Sequence, residues 1–338
     1  MTKTPHRFIA PAEDAPHART WMCWPSTAAI YHKSPAYYDS VQQTIGWLAA
    51  AIAENEPVTM LAEARLHPTA RACCGPKVTL LDKRTDDMWA RDSGPVFVRN
   101  ALGEKAAVQL NFNGWGDKFP HGHDAKVAAS VAQAAGCRTI IAQITGEGGG
   151  VEFDGEGTLL LTDSCWVNDN RNPGLDRAAI EAELSALLGI DKVIWLPGVR
   201  GEEETDGHID GVIRFVRPGV ILMSGMPGDT GVWGQAYDGS KAILERETDA
   251  KGRRFEIVEL PYATRWRSQH EKFFSGYANY YVGNGAVYSP EFGNPASDRL
   301  AETTLSQLYP DRKIVMLDVD RIYENGGGIH CVTQQEPA

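Results

Sequence analysis

A chain of 338 residues, 43% hydrophobic and 23% charged, has the make-up of an ordinary globular protein with room for a large core. Its formal net charge of -11 argues against a nucleic-acid partner, which demands clustered Lys and Arg, and is compatible with a small cationic ligand. No run of 18 apolar residues and no secretory leader pattern occurs, and the six cysteines (Cys23, Cys73, Cys74, Cys137, Cys165 and Cys331) are scattered, so reduced thiols in the cytoplasm and no membrane contact are expected.

Along the chain, helical periodicity is predicted over 38–54, 124–135, 176–188, 239–248 and 297–308. A short apolar run follows each helix, at 58–61, 138–143, 193–197, 255–260 and 313–320, and reads as a strand. Polar, Gly-rich turns lead into further apolar strands in RDSGPVFV, GEGGGVEFDGEGTLLLT, ETDGHIDGVIRFV, YANYYVGNGAVYSP and GGGIHCVT. With Ser93, Gly150, Gly207, Asn279 and Gly328 marking the strand starts, the intervals are 57, 57, 72 and 49 residues, a loose repeat. The unit reads as strand, helix, strand, and five of them in one domain spanning 1–338 suggest an α/β fold with radial repetition about an axis. A doubly wound sheet explains the alternation equally well, but not the polar turn in each unit. Cys73 and Cys74 read as incidental loop thiols.

The sharpest chemical feature is Cys331, just after three glycines in NGGGIHCVTQQ. Any cysteine taken alone is more often structural than reactive, and a nucleophilic thiol needs a base or cation nearby. His208 in EEETDGHIDG is the candidate, with strand alternation through Ile209 sending His208 and Asp210 to one face. Acidic residues recur at the other turns: Asp86, Asp87, Asp92, Glu147, Glu204 and Asp206. Carboxylates gathered around a thiol suit a cation, and a guanidinium is a planar, permanently charged one that carboxylates can hold for attack at its central carbon. HGHD at 121–124, with His208 and Asp210, motivates a metal-dependent amidohydrolase as an alternative. A non-catalytic polyamine binder is another, but it has no use for Cys331. Only seven residues follow Cys331, so the last strand must be held firmly.

The segments PAEDAPHARTWMCWP, MWARDSGPVFV, NFNGWG, EGGGVEFDGEGTLLLT, ETDGHIDG and GGGIHCVTQQ together resemble agmatine deiminases, within the guanidine-modifying (pentein) superfamily that includes bacterial peptidylarginine deiminases. The resemblance runs from about Arg7 to Gln335. It implies a five-bladed α/β propeller with pseudo-fivefold repeats and an active site on its axis. It also implies Cys331 as nucleophile, His208 as general acid/base, Asp92 and Asp210 as the grip on the guanidinium, and Glu147 as the acid paired with His208. Glu204, Trp89 and Trp115 fall at positions associated with substrate binding. The implied reaction converts agmatine to N-carbamoylputrescine and ammonia, on the way to putrescine, through a covalent thiouronium, with no cofactor and no metal. Two departures from the family pattern, Glu152 where His is commoner and the loop NGWGDKF, fall where the substrate's tail would be read. Arginine, methylated arginine and peptidyl-arginine therefore stay open as substrates, with Arg171 and Arg321 as partners for a carboxylate, and a homo-oligomer is compatible with the sequence.

Overall fold

The computed structural model describes residues 6–31, 34–226, 228–270 and 273–338, so MTKTP at the start lies outside the described residues. Sixteen strands among them form five separate sheets. Four sheets share one plan, an antiparallel hairpin whose second strand pairs in parallel with a third. These are Val96–Arg99, Lys105–Gln109 and Arg138–Ile141; Glu152–Phe153, Thr158–Thr162 and Lys192–Leu196; Ile213–Arg217, Val220–Gly225 and Glu256–Pro261; and Tyr281–Gly283, Ala286–Pro290 and Lys313–Leu317. A helix makes each parallel crossover, as parallel pairing requires. The unit is therefore strand, strand, helix, strand, and the expectation of strand, helix, strand missed the hairpin. In two of the four hairpins the turn is too short to break the apolar run: Gly219, at φ 81°, and Gly285, at φ 75°, reverse the chain within two residues.

The remaining sheet is completed from the far end of the sequence. Gln334–Pro337 pairs antiparallel with His17–Cys23, which pairs in parallel with Val58–Ala62, and Thr79–Asp82 adds a fourth strand. Trp21 Nε1 donates to Glu336 Oε2 at 3.0 Å, and the Ala338 amide donates to the Pro16 carbonyl at 2.8 Å. The second strand of each hairpin is the central one, and Thr158–Thr162, Val220–Gly225 and Ala286–Pro290 are buried at every residue. Central parallel-type strands covered on both faces read as unbroken apolar runs.

Helix boundaries follow local chemistry. Pro35–Ile52 starts at a Ser34 cap that accepts from the Tyr37 amide, and Arg177–Leu188 runs from an Asp176 cap to Gly189 at φ 70°. The expected helix at 239–248 is instead Val232–Leu244, because Gly234, Tyr237, Ser240 and Leu244 form the buried stripe. The 124–135 segment opens as a 3-10 turn, Asp124–Lys126, before Val127–Ala134. The strand expected over 313–320 ends at Leu317, and Asp320–Tyr323 is a helical turn. Cys73 and Cys74 are not loop thiols but close the helix His67–Cys74, where Cys74 is buried and Cys73 packs on Gly46 so closely that a Cβ there would lie 2.4 Å from its own. No helix among the described residues is long and apolar enough to cross a membrane.

Candidate active site

The polar turn that precedes the first strand of each sheet delivers the site. The helical turn Ala90–Ser93 carries Asp92, the 3-10 turn Gly148–Gly150 follows Glu147, and Ile209–Gly211 follows His208. His208 thus caps a 3-10 turn and Asp210 lies on it, in place of the alternating strand expected for them. Ile209 still goes to the core, fully buried, while its neighbours face the site. Tyr277–Asn279 supplies Asn279, and the turn after Gly326–Gly328 supplies His330 and Cys331. The Arg91 amide donates to the Cys331 carbonyl at 3.0 Å, tying the first of these turns to the last.

Gly149 locates the point of convergence. A Cβ added there would stand 2.6 Å from His208 Nδ1, 2.8 Å from Asp92 Oδ1 and 3.3 Å from Asp210 Cγ. Only a residue without a side chain lets these three groups meet. Cys331 Sγ lies 3.5 Å from Asp210 Oδ2 and accepts from Asn279 Nδ2 at 3.2 Å, and the Cys331 amide donates to Asn279 Oδ1 at 3.3 Å. Cys331 as a whole is 9% exposed and counts as buried. His208 Nε2 is 3.2 Å from Glu147 Oε2, and Nδ1 is 3.7 Å from Asp92 Oδ1. Arg171 Nε bonds both Glu147 oxygens at 2.8 and 3.0 Å, Nη1 bonds Asp206 Oδ2 at 2.8 Å, and Nη2 donates to the Thr205 carbonyl at 3.0 Å.

These contacts set the charges. Burial opposes the His208 cation, but Asp92, Cys165 and Glu147 outweigh it and hold the imidazole well above its usual range. Burial pushes the Cys331 thiol far up, and the carboxylates of Asp210 and Asp92 push it further. The two carboxylates differ. Burial raises Asp92 to about 6, with Asp210 and Glu147 adding to the rise and His208 and the Trp115 N–H opposing it. Burial acts on Asp210 too, but its bond to His330 and the cations around it bring it down to about 2. The site is anionic, with a neutral thiol at rest.

Of the residues expected to bind substrate, Trp115 donates from Nε1 to Asp92 Oδ2 at 3.0 Å, held in a left-handed turn at φ 57°. Trp89 packs beside Cys331 across Gly327, where a Cβ would lie 2.5 Å from the indole and 3.2 Å from Cys331 Cβ. Glu204, half-buried, faces Gly326, with Oε2 3.6 Å from the position of a Cβ there. Asp86, Asp87 and Asp206 do not join the convergence point. Asp86 accepts from the His123 and Asp124 amides, Asp87 from Trp89 Nε1, and Asp206 from Arg171 and Lys118. Glu152 does not read a tail: it is buried against Arg214 Nε at 3.1 Å and the Phe215 amide at 2.7 Å.

The HGHD stretch is not a metal cluster: Asp124 accepts from the Asp86 and Asp87 amides, and His121 bonds the Phe119 carbonyl. Among the described residues one triad of potential ligands does gather, Glu147, Cys165 and His208, with ligand atoms within 4.8 Å of one another. Arg171 already binds the Glu147 carboxylate there, and a permanent cation opposes a divalent one. His330 was not singled out from the sequence, and Asn279 only as the start of a strand in the repeat, not as a site residue. His330 adjoins Cys331 and could have been.

The sequence profile of the Porphyromonas-type peptidyl-arginine deiminase family matches residues 9–337. The chain belongs to that family. Its relatives within this deiminase group include a putative agmatine deiminase of Streptomyces coelicolor, 39% identical over 98% of this chain and 99% of that one. The agmatine deiminase of Ectopseudomonas mendocina is 36% identical over all of this chain and 98% of its own. The solved agmatine deiminase of Enterococcus faecalis matches this deiminase-family fold with a TM-score of 0.91 at 29% identity, covering 98% of this chain and 96% of that one.

Proposed function

We propose that this protein is a cysteine-dependent deiminase that hydrolyses agmatine to N-carbamoylputrescine and ammonia. The observation that carries the reading is the meeting of Asp92, His208 and Asp210 around Gly149 with the Cys331 sulfur 3.5 Å from Asp210. Asp92 and Asp210 hold the guanidinium, and its arriving charge lowers the thiol pKa, so the Cys331 proton is lost to solvent. The thiolate attacks the guanidino carbon. His208, cationic at rest beside Glu147, gives its proton to the departing nitrogen, and ammonia leaves a thiouronium on Cys331. The now neutral imidazole takes a proton from water as it adds to the same carbon, and collapse expels the thiolate and the ureido product.

Agmatine is favoured over free arginine by what the cations are doing. Arg171 is committed to Glu147, Asp206 and Thr205, and Arg321 to Glu324 at 2.7 Å, so neither is open to an α-carboxylate. The indoles of Trp89 and Trp115 and the carboxylate of Glu204 suit an aliphatic, cationic tail. Because all five sheets contribute a turn to the site, we read them as five blades around one axis and residues 1–338 as one catalytic domain. Six free thiols fit a reducing, cytoplasmic setting.

The deciding experiment is a ureido-product and ammonia assay on agmatine and arginine with the wild type and Cys331→Ser. Turnover of agmatine that survives a chelator, stops with iodoacetamide and is absent from the variant is expected. Full activity in Cys331→Ser would sink the mechanism, and faster turnover of arginine would sink the substrate.

A further inference from the structure

Behind Asp210 lies a buried row of ionisable side chains that the reaction scheme does not use. His330 Nδ1 is 2.7 Å from Asp210 Oδ2, the same oxygen that faces the Cys331 sulfur. His330 Nε2 is 2.8 Å from Glu13 Oε2. Glu13 in turn binds Arg214 Nη2 through that oxygen and accepts from the Val282 amide through Oε1 at 2.9 Å. Arg214 continues to Glu152 and to the carbonyls of Ala278 and Tyr280, at 3.1, 3.2 and 2.8 Å. Each ring nitrogen of His330 faces a carboxylate oxygen, so the imidazole bridges Asp210 and Glu13.

We propose that Glu13 and His330 are positioning residues, a second buried carboxylate–imidazole pair whose task is to keep Asp210 ionised and turned so that its other oxygen is free for the guanidinium. The inference rests on the deiminase reading above. Asp92 is the internal comparison: among the described residues it accepts from Trp115 Nε1 and the Gly149 amide, and His208 Nδ1 stands 3.7 Å away, beyond hydrogen-bond reach. The groups facing Asp210 are His330 and Cys331 from the last turn, His208 beside it, Arg214 behind and Asp92 across the site. Those facing His330 are Asp210 and Glu13, with Arg91 Nε donating to its carbonyl at 3.3 Å. Burial raises both carboxylates; the bond to His330 and the cations around it bring Asp210 down to about 2, whereas Asp210 and Glu147 add to the rise that takes Asp92 to about 6. The Glu13–His330 pair also gives a physical reason for the PAED segment near the start of the chain, which otherwise has no part in the chemistry.

The test is the pH dependence of kcat/KM for ammonia release from agmatine by the wild type, His330→Asn, Glu13→Gln and the double variant, with melting curves on each. Asn can keep an N–H toward Asp210 but cannot bridge to Glu13 as the imidazole does. In the wild type one carboxylate, Asp92, shapes the acid limb. In His330→Asn that limb should steepen from one proton toward two and move to higher pH, with KM raised at least about tenfold and kcat less affected. Glu13→Gln should shift the limb the same way but less, and the double variant should be no worse than His330→Asn, because Glu13 acts through His330. Should His330→Asn not fold, Glu13→Gln carries the test. An unmoved acid limb in a folded variant, whatever its loss of rate or melting temperature, overturns the proposal. A wild type inert toward agmatine overturns the deiminase reading and this inference with it, whereas an active wild type with unmoved variants overturns this inference alone.

Discussion

Two carboxylates a few ångströms apart carry different protonation equilibria because their partners differ, and that difference fixes the pH response. Asp92 is protonated below about 6, and a neutral carboxyl cannot hold a guanidinium. For the free enzyme, kcat/KM should therefore fall as pH drops through about 6. Trp115→Phe deletes the N–H that stabilises the Asp92 carboxylate, so its pKa rises and the limb should move to higher pH. A limb in the same place would mean that Asp92 does not hold the substrate. Gly149→Ala is expected to lower kcat/KM by about 10²-fold or more, since a methyl there displaces His208 and Asp92 from their meeting point. A melting temperature close to wild type alongside that loss would assign the effect to the site, and near-normal turnover would contradict the geometry. Cys331, His208 and Asp92 were legible because each sits in a compact motif. The His330–Glu13 contact was not, because its partners are 317 residues apart and no spacing rule spans that distance.

At the scale of elements, every predicted helix exists, but boundaries moved wherever burial rather than propensity decided them. Val232–Leu244 is the largest shift, because its buried stripe begins at Gly234, a residue that local rules read as a breaker. Hairpins were missed for a related reason. Two buried strands joined by a two-residue turn look like one long apolar run, and Tyr281–Gly283 with Ala286–Pro290 is such a case. The strand Gln334–Pro337 has the clearest energetic role. Deleting residues 334–338 removes a ladder along His17–Cys23, strands the Trp21 N–H that Glu336 accepts, and frees Lys105 from the same carboxylate. One buried unpaired donor alone costs about 1–3 kcal/mol. The truncated protein should melt well below the full chain and lose deiminase activity, as thermal denaturation and an ammonia assay would reveal. Unchanged melting would mean that this ladder contributes nothing.

The molecule as a whole joins its sequence ends through structure rather than through a covalent link, with Trp21 and Glu336 in contact across 315 residues. Closing so long a loop costs little extra in equilibrium stability, since the entropic penalty grows by only about 0.6 kcal/mol per doubling of length. Its effect falls on rate, because distant pairings must wait for the chain between them to collapse. The sheet that contains His17–Cys23 should therefore be among the last to close, and Cys331, three residues before the strand that closes it, should reach its place with it. On dilution from denaturant, helical and strand signals should recover first and turnover should lag behind them. Simultaneous recovery of both would show that the ends meet early. Until they do, the protein would hold nearly all its secondary structure and no working nucleophile.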